Sequence, residues 1–235
     1  MRILLLGGTA EARELAEMLA IRGVDAVLSL AGVTDAPPSP LPHRKGGFGG
    51  EQGLIDYLQA AQITQLIDAT HPFAAQMSRH ASAASKATGI PLLRLTRPAW
   101  PLQPQWLQVS SIAEAAVALP KGARAFLALG AQSLAPFATR PDVWFLTRSI
   151  QPPATRLPGE TILARPPFAL ADEIALMQAH KITHLVTKNA GGAQTIAKLH
   201  AATELGIQLV IITRPVLPPA AEVSSTHDAL KALTL

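Results

Sequence analysis

Five short segments carry residue types able to do chemistry, and each stands where an apolar run gives way to glycine or polar residues. The first is Leu6-Gly7-Gly8-Thr9-Ala10-Glu11-Ala12-Arg13. Glycines where a strand meets a helix let the backbone approach a phosphate, and the amides and dipole of the helix start favour an anion. The full Gly-x-Gly-x-x-Gly spacing is absent, so the segment reads equally as a tight turn with Thr9 as N-cap. At the end of the second strand, where an NAD-binding chain places an acid for the ribose hydroxyls, stands Ser29-Leu30-Ala31-Gly32. With no carboxylate to repel a ribose phosphate, NADPH fits there better than NADH. Arg44 and Lys45 are candidates to pair with that phosphate, though they are more simply solvated loop charges.

The next segment, Gly46-Gly47-Phe48-Gly49-Gly50, can wrap a ligand closely or act as a hinge, and Phe48, isolated from any apolar run, points to a ligand contact. Asp68-Ala69-Thr70-His71-Pro72-Phe73 follows a buried strand, at the carboxyl edge where open parallel sheets bind ligands. His71 there can donate a proton or hold a carboxylate, with Asp68 orienting it, although a lone histidine is more often structural. The last, Thr187-Lys188-Asn189-Ala190-Gly191-Gly192-Ala193-Gln194-Thr195, mirrors the first and adds a lysine. A cation at a helix start is unfavourable without a negative partner, which argues for an anionic ligand, unless Lys188 snorkels to solvent.

The elements that must position these residues follow from the hydrophobic pattern. Runs at 3–6, 26–30, 65–69 and 92–95 read as buried strands, and 10–22, 50–61 and 74–88 as helices with apolar residues every three or four positions. The second half repeats the plan, with strands at 124–129, 144–148, 183–187 and 208–213 and helices at 168–180 and 193–205. Such alternation predicts βαβ units, parallel sheets and an α/β fold of two Rossmann-like domains. Arg97-Pro98-Ala99-Trp100-Pro101 and Pro104 deny both helix and central strand. The boundary is therefore placed there, giving domains 1–97 and 98–235. Residues 37–42 and 152–158 read as ordered proline-rich surface loops, and no tandem repeat of solenoid period is expected.

Composition narrows the classes. The 235 residues include no cysteine, which excludes disulfides, thiolate metal sites and a cysteine nucleophile, so redox chemistry needs a borrowed cofactor. The charge of +4 is scattered rather than clustered, which speaks against nucleic acid and suits a small polyanionic ligand. No apolar run approaches the ~20 residues of a membrane helix, and the expected location is the cytoplasm.

Taken in order, these motifs resemble the precorrin-6A reductase family, including the cobalt-precorrin-6A reductases. The likeness runs through residues 7–12, 29–32, 46–50 and 68–74, then Arg94, Arg97-Pro98, Trp100, 144–148, 187–192, Lys198 and Arg214-Pro215. It implies two Rossmann-like domains, the first for NADPH and the second for the tetrapyrrole, with the active site in the cleft between them. The implied reaction is hydride transfer from NADPH to one double bond of precorrin-6A, with a proton added to the neighbouring carbon, giving precorrin-6B. No metal is implied, and hand-over with neighbouring corrin-pathway enzymes is expected. The implied cofactor set is Gly7, Gly8, Thr9, Glu11, Ser29, Gly32, Arg44, Gly47 and Thr70. The substrate set is Phe48, Arg94, Lys188, Asn189, Gly191, Gly192 and Lys198, and the catalytic candidates are His71 and Lys188.

Two departures from the family pattern stand out. Leu129-Gly130-Ala131-Gln132-Ser133 replaces a threonine-glycine pair followed by a basic or polar residue, so position 131 offers no carboxylate contact. Pro166, where relatives carry glycine, has no amide to donate. Two rival readings of the same residues are a non-catalytic NADP-sensing module and another two-domain nucleotide-dependent enzyme such as a sugar transferase.

Overall fold

The structure, a computed structural model, describes residues 1–32 and 39–235, so positions 37 and 38 of the expected loop at 37–42 lie outside it. The chain opens with β1 (Arg2–Leu6), α1 (Ala10–Ile21), β2 (Asp25–Leu30), β3 (His43–Lys45), α2 (Glu51–Ala60), β4 (Gln65–Asp68), α3 (Ala75–Thr88) and β5 (Leu92–Leu95). It continues through β6 (Leu107–Val109), α4 (Ile112–Val117), β7 (Arg124–Ala128), β8 (Trp144–Ser149), β9 (Gly159–Leu163), α5 (Leu170–Ala179), β10 (His184–Lys188), α6 (Ala197–Glu204) and β11 (Gln208–Ile212). It closes with β12 (Ala221–Val223) and α7 (Thr226–Ala232).

Two all-parallel six-stranded sheets result, in the orders β12-β5-β4-β1-β2-β3 and β6-β11-β10-β7-β8-β9. Continuous apolar strands such as Ile3–Leu6 suit sheets covered on both faces. On one face of the first sheet Ile3 and Leu5 pack with Leu15 and Leu19 of α1; on the other, Leu4 and Leu6 pack with Leu54 and Leu58 of α2. In the second sheet Phe126, Leu185, Val186 and Ile211 are fully buried in the same manner.

The chain divides into two units, Met1–Pro98 with Pro215–Leu235, and Ala99–Arg214. The expected domain division therefore needs correcting at its far end, because residues 215–235 complete the first sheet instead of the second. Ala221 to Val223 pair with Leu93 to Leu95, and Ala229, Leu230 and Leu233 join the core around α1.

The proline-rich stretch at the expected boundary turns out to be half of an internal repeat. Thr96-Arg97-Pro98-Ala99-Trp100-Pro101 precedes β6, and Thr213-Arg214-Pro215-Val216-Leu217-Pro218 precedes β12. Each short strand then runs through Val-Ser-Ser into a helix, with Ser111 and Ser225 as N-caps accepting from Glu114 N and Asp228 N. The pairing is reciprocal as well: Thr96 N donates to Val223 O at 3.0 Å and Thr213 N to Val109 O at 2.9 Å. Each sheet thus takes its sixth strand from the segment that follows the fifth strand of the other.

Candidate active site

In the first sheet β1 and β4 lie side by side at the centre, and the connections leave them in opposite directions, which makes their carboxyl ends the topological switch point. Gly7-Gly8-Thr9 leaves β1 there, and Ala69-Thr70-His71 leaves β4. Gly8 has φ of +124°, which a residue with a Cβ rarely adopts. Gly7 is small for a packing reason: a Cβ there would lie 2.6 Å from Leu28 Cδ1. Thr9 is the N-cap of α1, its Oγ1 accepting from Ala12 N at 3.1 Å and donating to Ala69 O at 2.9 Å. Its hydroxyl therefore ties the two turns together. Glu11, in the first turn of α1, has its carboxylate paired with Arg97 Nη1 at 2.8 Å.

Arg44 on β3 reaches across to the neighbouring strand. Its guanidinium donates to Ser29 Oγ at 2.9 Å, Gly46 O at 3.0 Å and Gly47 O at 2.9 Å, and stacks 3.9 Å over Phe48. These bonds use three of the five N–H groups of an arginine. Phe48 also meets Tyr57 edge-on at 5.3 Å and packs against the core, so it is anchored and not the isolated contact that its sequence surroundings indicate. The glycine loop closes onto α2 at Gly53, where a Cβ would lie 1.7 Å from Phe48 O. Gly53 is a site residue missed in the sequence; a glycine inside a helical pattern was the available signal. Gly32, at φ of +80°, is exposed at the same edge.

At the end of β4, Asp68 Oδ1 accepts from Thr70 N at 3.2 Å and Thr70 Oγ1 at 2.7 Å. His71 Nδ1 accepts from Phe73 N at 3.2 Å, which places the imidazole proton on Nε2. Asp68 therefore orients Thr70, not the histidine. Arg94, expected on the substrate list, is 3 % exposed and spends its guanidinium on Glu222 Oε1 at 2.6 Å and Pro218 O at 3.1 Å.

In the second sheet β7 and β10 occupy the corresponding central positions. Each ends in a matching turn: Gly130-Ala131-Gln132-Ser133 and Gly192-Ala193-Gln194-Thr195 both start a 3-10 turn from a glycine, at φ/ψ of 82°/157° and 83°/156°. Positive φ favours glycine at both. The 3-10 turn replaces the first turn of the helix expected over 193–205. Lys188 spans the gap between the strands, its Nζ donating to Ser133 Oγ at 2.8 Å and Leu129 O at 3.4 Å, and burial pulls its pKa below the usual lysine value.

Two residues expected as substrate ligands, Asn189 and Lys198, both bond to the protein itself. Asn189 accepts from Trp100 N at 2.8 Å and donates to Trp100 O at 3.1 Å, so both ends of its amide are used. Lys198, 5 % exposed, donates to Thr195 O at 2.9 Å with its ammonium 4.9 Å from the Trp100 ring centroid. Trp100 Nε1 donates to Gly192 O at 3.1 Å, so the crossover segment clamps the Gly191-Gly192 turn.

Comparison with known proteins agrees with this geometry. The family model "Precorrin-6x reductase CbiJ/CobK" matches residues 2–234. The precorrin-6A reductase of Rhodococcus erythropolis is 50% identical, over 94% of this chain and 92% of the relative. The cobalt-precorrin-6A reductase of Priestia megaterium is 29% identical, over 98% and 97%. A solved structure of a CobK precorrin-6A reductase superposes with a TM-score of 0.92 at 44% identity, covering 100% of this chain and 96% of the other. With nearly every residue matched and both parallel sheets in place, the chain belongs to the precorrin-6x reductase family.

Proposed function

We propose that the protein reduces one double bond of precorrin-6A with NADPH, giving precorrin-6B for cobalamin biosynthesis in the cytoplasm, with the product passing to neighbouring corrin-pathway enzymes. The first unit is the cofactor side and the second the substrate side. The observation that carries the cofactor choice is Arg44, a guanidinium fixed by Ser29 and two loop carbonyls beside the carboxyl end of β2. A preorganised arginine with N–H groups to spare suits a ribose phosphate.

Bound NADPH supplies the hydride. The residues contribute position and charge: the Gly7-Gly8 turn and the start of α1 face the pyrophosphate, and Arg44 takes the ribose phosphate. Lys188, destabilised as a buried cation, gains most from an acetate or propionate of the macrocycle. The Gly191-Gly192 turn offers backbone to the same ring. His71, with its proton on Nε2, acts as a hydrogen-bond donor, since acting as an acid from imidazolium would set an Nδ1–H against the Phe73 amide. Solvent then supplies the proton.

The higher identity to the metal-free precorrin-6A reductase than to its cobalt counterpart favours the metal-free substrate. An anaerobic assay with metal-free and cobalt-containing precorrin-6A, following NADPH absorbance, tests this. Oxidation with the metal-free ring at a rate well above the cobalt ring is expected. NADPH oxidation with neither ring overturns the assignment, and binding of NADPH without turnover would support the sensor reading.

A further inference from the structure

We propose that Glu222, on the strand contributed by the C-terminal segment, is a positioning residue for the turn after β4. It acts through two buried charges. Resting on the cofactor reading above, this makes the last segment of the chain a support for the NADPH site.

The path is continuous. Glu222 Oε1 accepts from Arg94 Nη1 at 2.6 Å, and Pro218 O accepts from Nη2 at 3.1 Å. Arg94 Nε lies 3.6 Å from Asp68 Oδ2, too far for a hydrogen bond, and neither buried atom has a hydrogen-bond partner among the described residues. Asp68, 1 % exposed, turns its other oxygen to Thr70 N and Oγ1. The preceding Ala69 carbonyl receives Thr9 Oγ1, so the same turn also fixes the start of α1.

The geometry sets the direction of the effect. Glu222 and Pro218 hold two of the guanidinium nitrogens, so Arg94 pairs with Asp68 at 3.6 Å without a hydrogen bond and Asp68 keeps its other oxygen on Thr70. A buried guanidinium that loses one carboxylate is drawn to the other, because the uncompensated charge is costly in the interior. Without Glu222, Arg94 closes on Asp68, the carboxylate rotates, and Thr70 loses its acceptor. Glu222 itself has a half-exposed side chain on an edge strand, so its replacement leaves the core packing in place.

Glu222→Ala and Glu222→Gln in the full chain test this by hydrogen–deuterium exchange at Thr70 and by NADPH titration followed through nicotinamide fluorescence. Glu222→Ala is expected to speed Thr70 exchange and raise the NADPH Kd, each about tenfold, equivalent to ~1.4 kcal/mol. Glu222→Gln, which keeps an acceptor for Nη1 without the charge, should fall between. Exchange in β7 and β10 of the second unit should stay unchanged. Thr70 exchange and Kd both within about twofold of wild type, or faster exchange everywhere at once, overturn the proposal. If the wild-type chain itself fails to bind NADPH, the cofactor reading falls, and exchange at Thr70 still decides the role of Glu222.

Discussion

Lys188 Nζ and Ser133 Oγ meet at 2.8 Å, joining the end of β10 to the turn after β7 across the switch point of the second sheet. Burial lowers the lysine pKa, so the unfolded chain binds this proton more tightly than the folded one. The stability deficit is complete below the folded value and is relieved as pH rises from there towards the unfolded value. Lys188→Met is therefore expected to hold or raise Tm at neutral pH while weakening tetrapyrrole binding by tenfold or more, about 1.4 kcal/mol. Thermal melts and a tetrapyrrole titration measure the two effects, and NADPH affinity should not change.

Arg44→Gln removes the charge proposed to meet the ribose phosphate. The Kd for NADPH should rise about 10- to 100-fold, ~1.4–2.7 kcal/mol, with NADH affinity little altered. Parallel titrations with both nucleotides check this, and an equal loss for the two would assign Arg44 to loop structure alone.

Gly53→Ala puts a methyl group against the Phe48 carbonyl, with Cβ and oxygen 1.7 Å apart before relaxation. Overpacking of this kind costs about 1–3 kcal/mol. Because backbone is what it meets, the glycine loop must move, and a lower Tm should come with weaker NADPH binding. Gly53→Ser should behave no better.

His184 gives a pH-dependent test in the second unit. Burial lowers its pKa from 6.5, so the unfolded state takes up the proton first. The stability it confers is present above pH 6.5 and is lost as pH falls towards the folded value. Tm measured from pH 7 down to about pH 5 should decline less steeply in His184→Gln than in wild type, by an amount traceable to one group.

Glu173 and Arg148 form a buried two-bond ion pair, 1 % and 8 % exposed, with the guanidinium 3.7 Å over Phe168. Removing the acid strands the cation, and Glu173→Ala should lose about 3–5 kcal/mol of stability. Denaturant melts of Glu173→Ala and of the double variant with Arg148→Met separate the stranded charge from lost packing, because the double variant should recover part of the loss.

The central strands were legible because burial on both faces leaves an unbroken apolar run, as at Ile3–Leu6 and Leu185–Val186. Edge strands were not. His43–Lys45 is polar, Gly159–Leu163 is mostly exposed, and β6 and β12 have three residues each, too few for a period to show. At the site, backbone needs were readable in the glycines, whereas the duties of polar side chains were not. Asn189, Arg94 and Lys198 have the chemistry of ligands, yet their partners are Trp100, Glu222 and Thr195, each distant in sequence or hidden in backbone carbonyls. Only the fold reveals that such groups are already engaged.

The swap of outer strands between the two sheets also bears on how the chain is made. Residues 99–214 are contiguous and hold every strand of their sheet, whereas β5 keeps an open edge until residues 221–223 pair with it. A truncated polypeptide ending at Pro98 would keep that ragged border for good, and self-association through it is the expected fate.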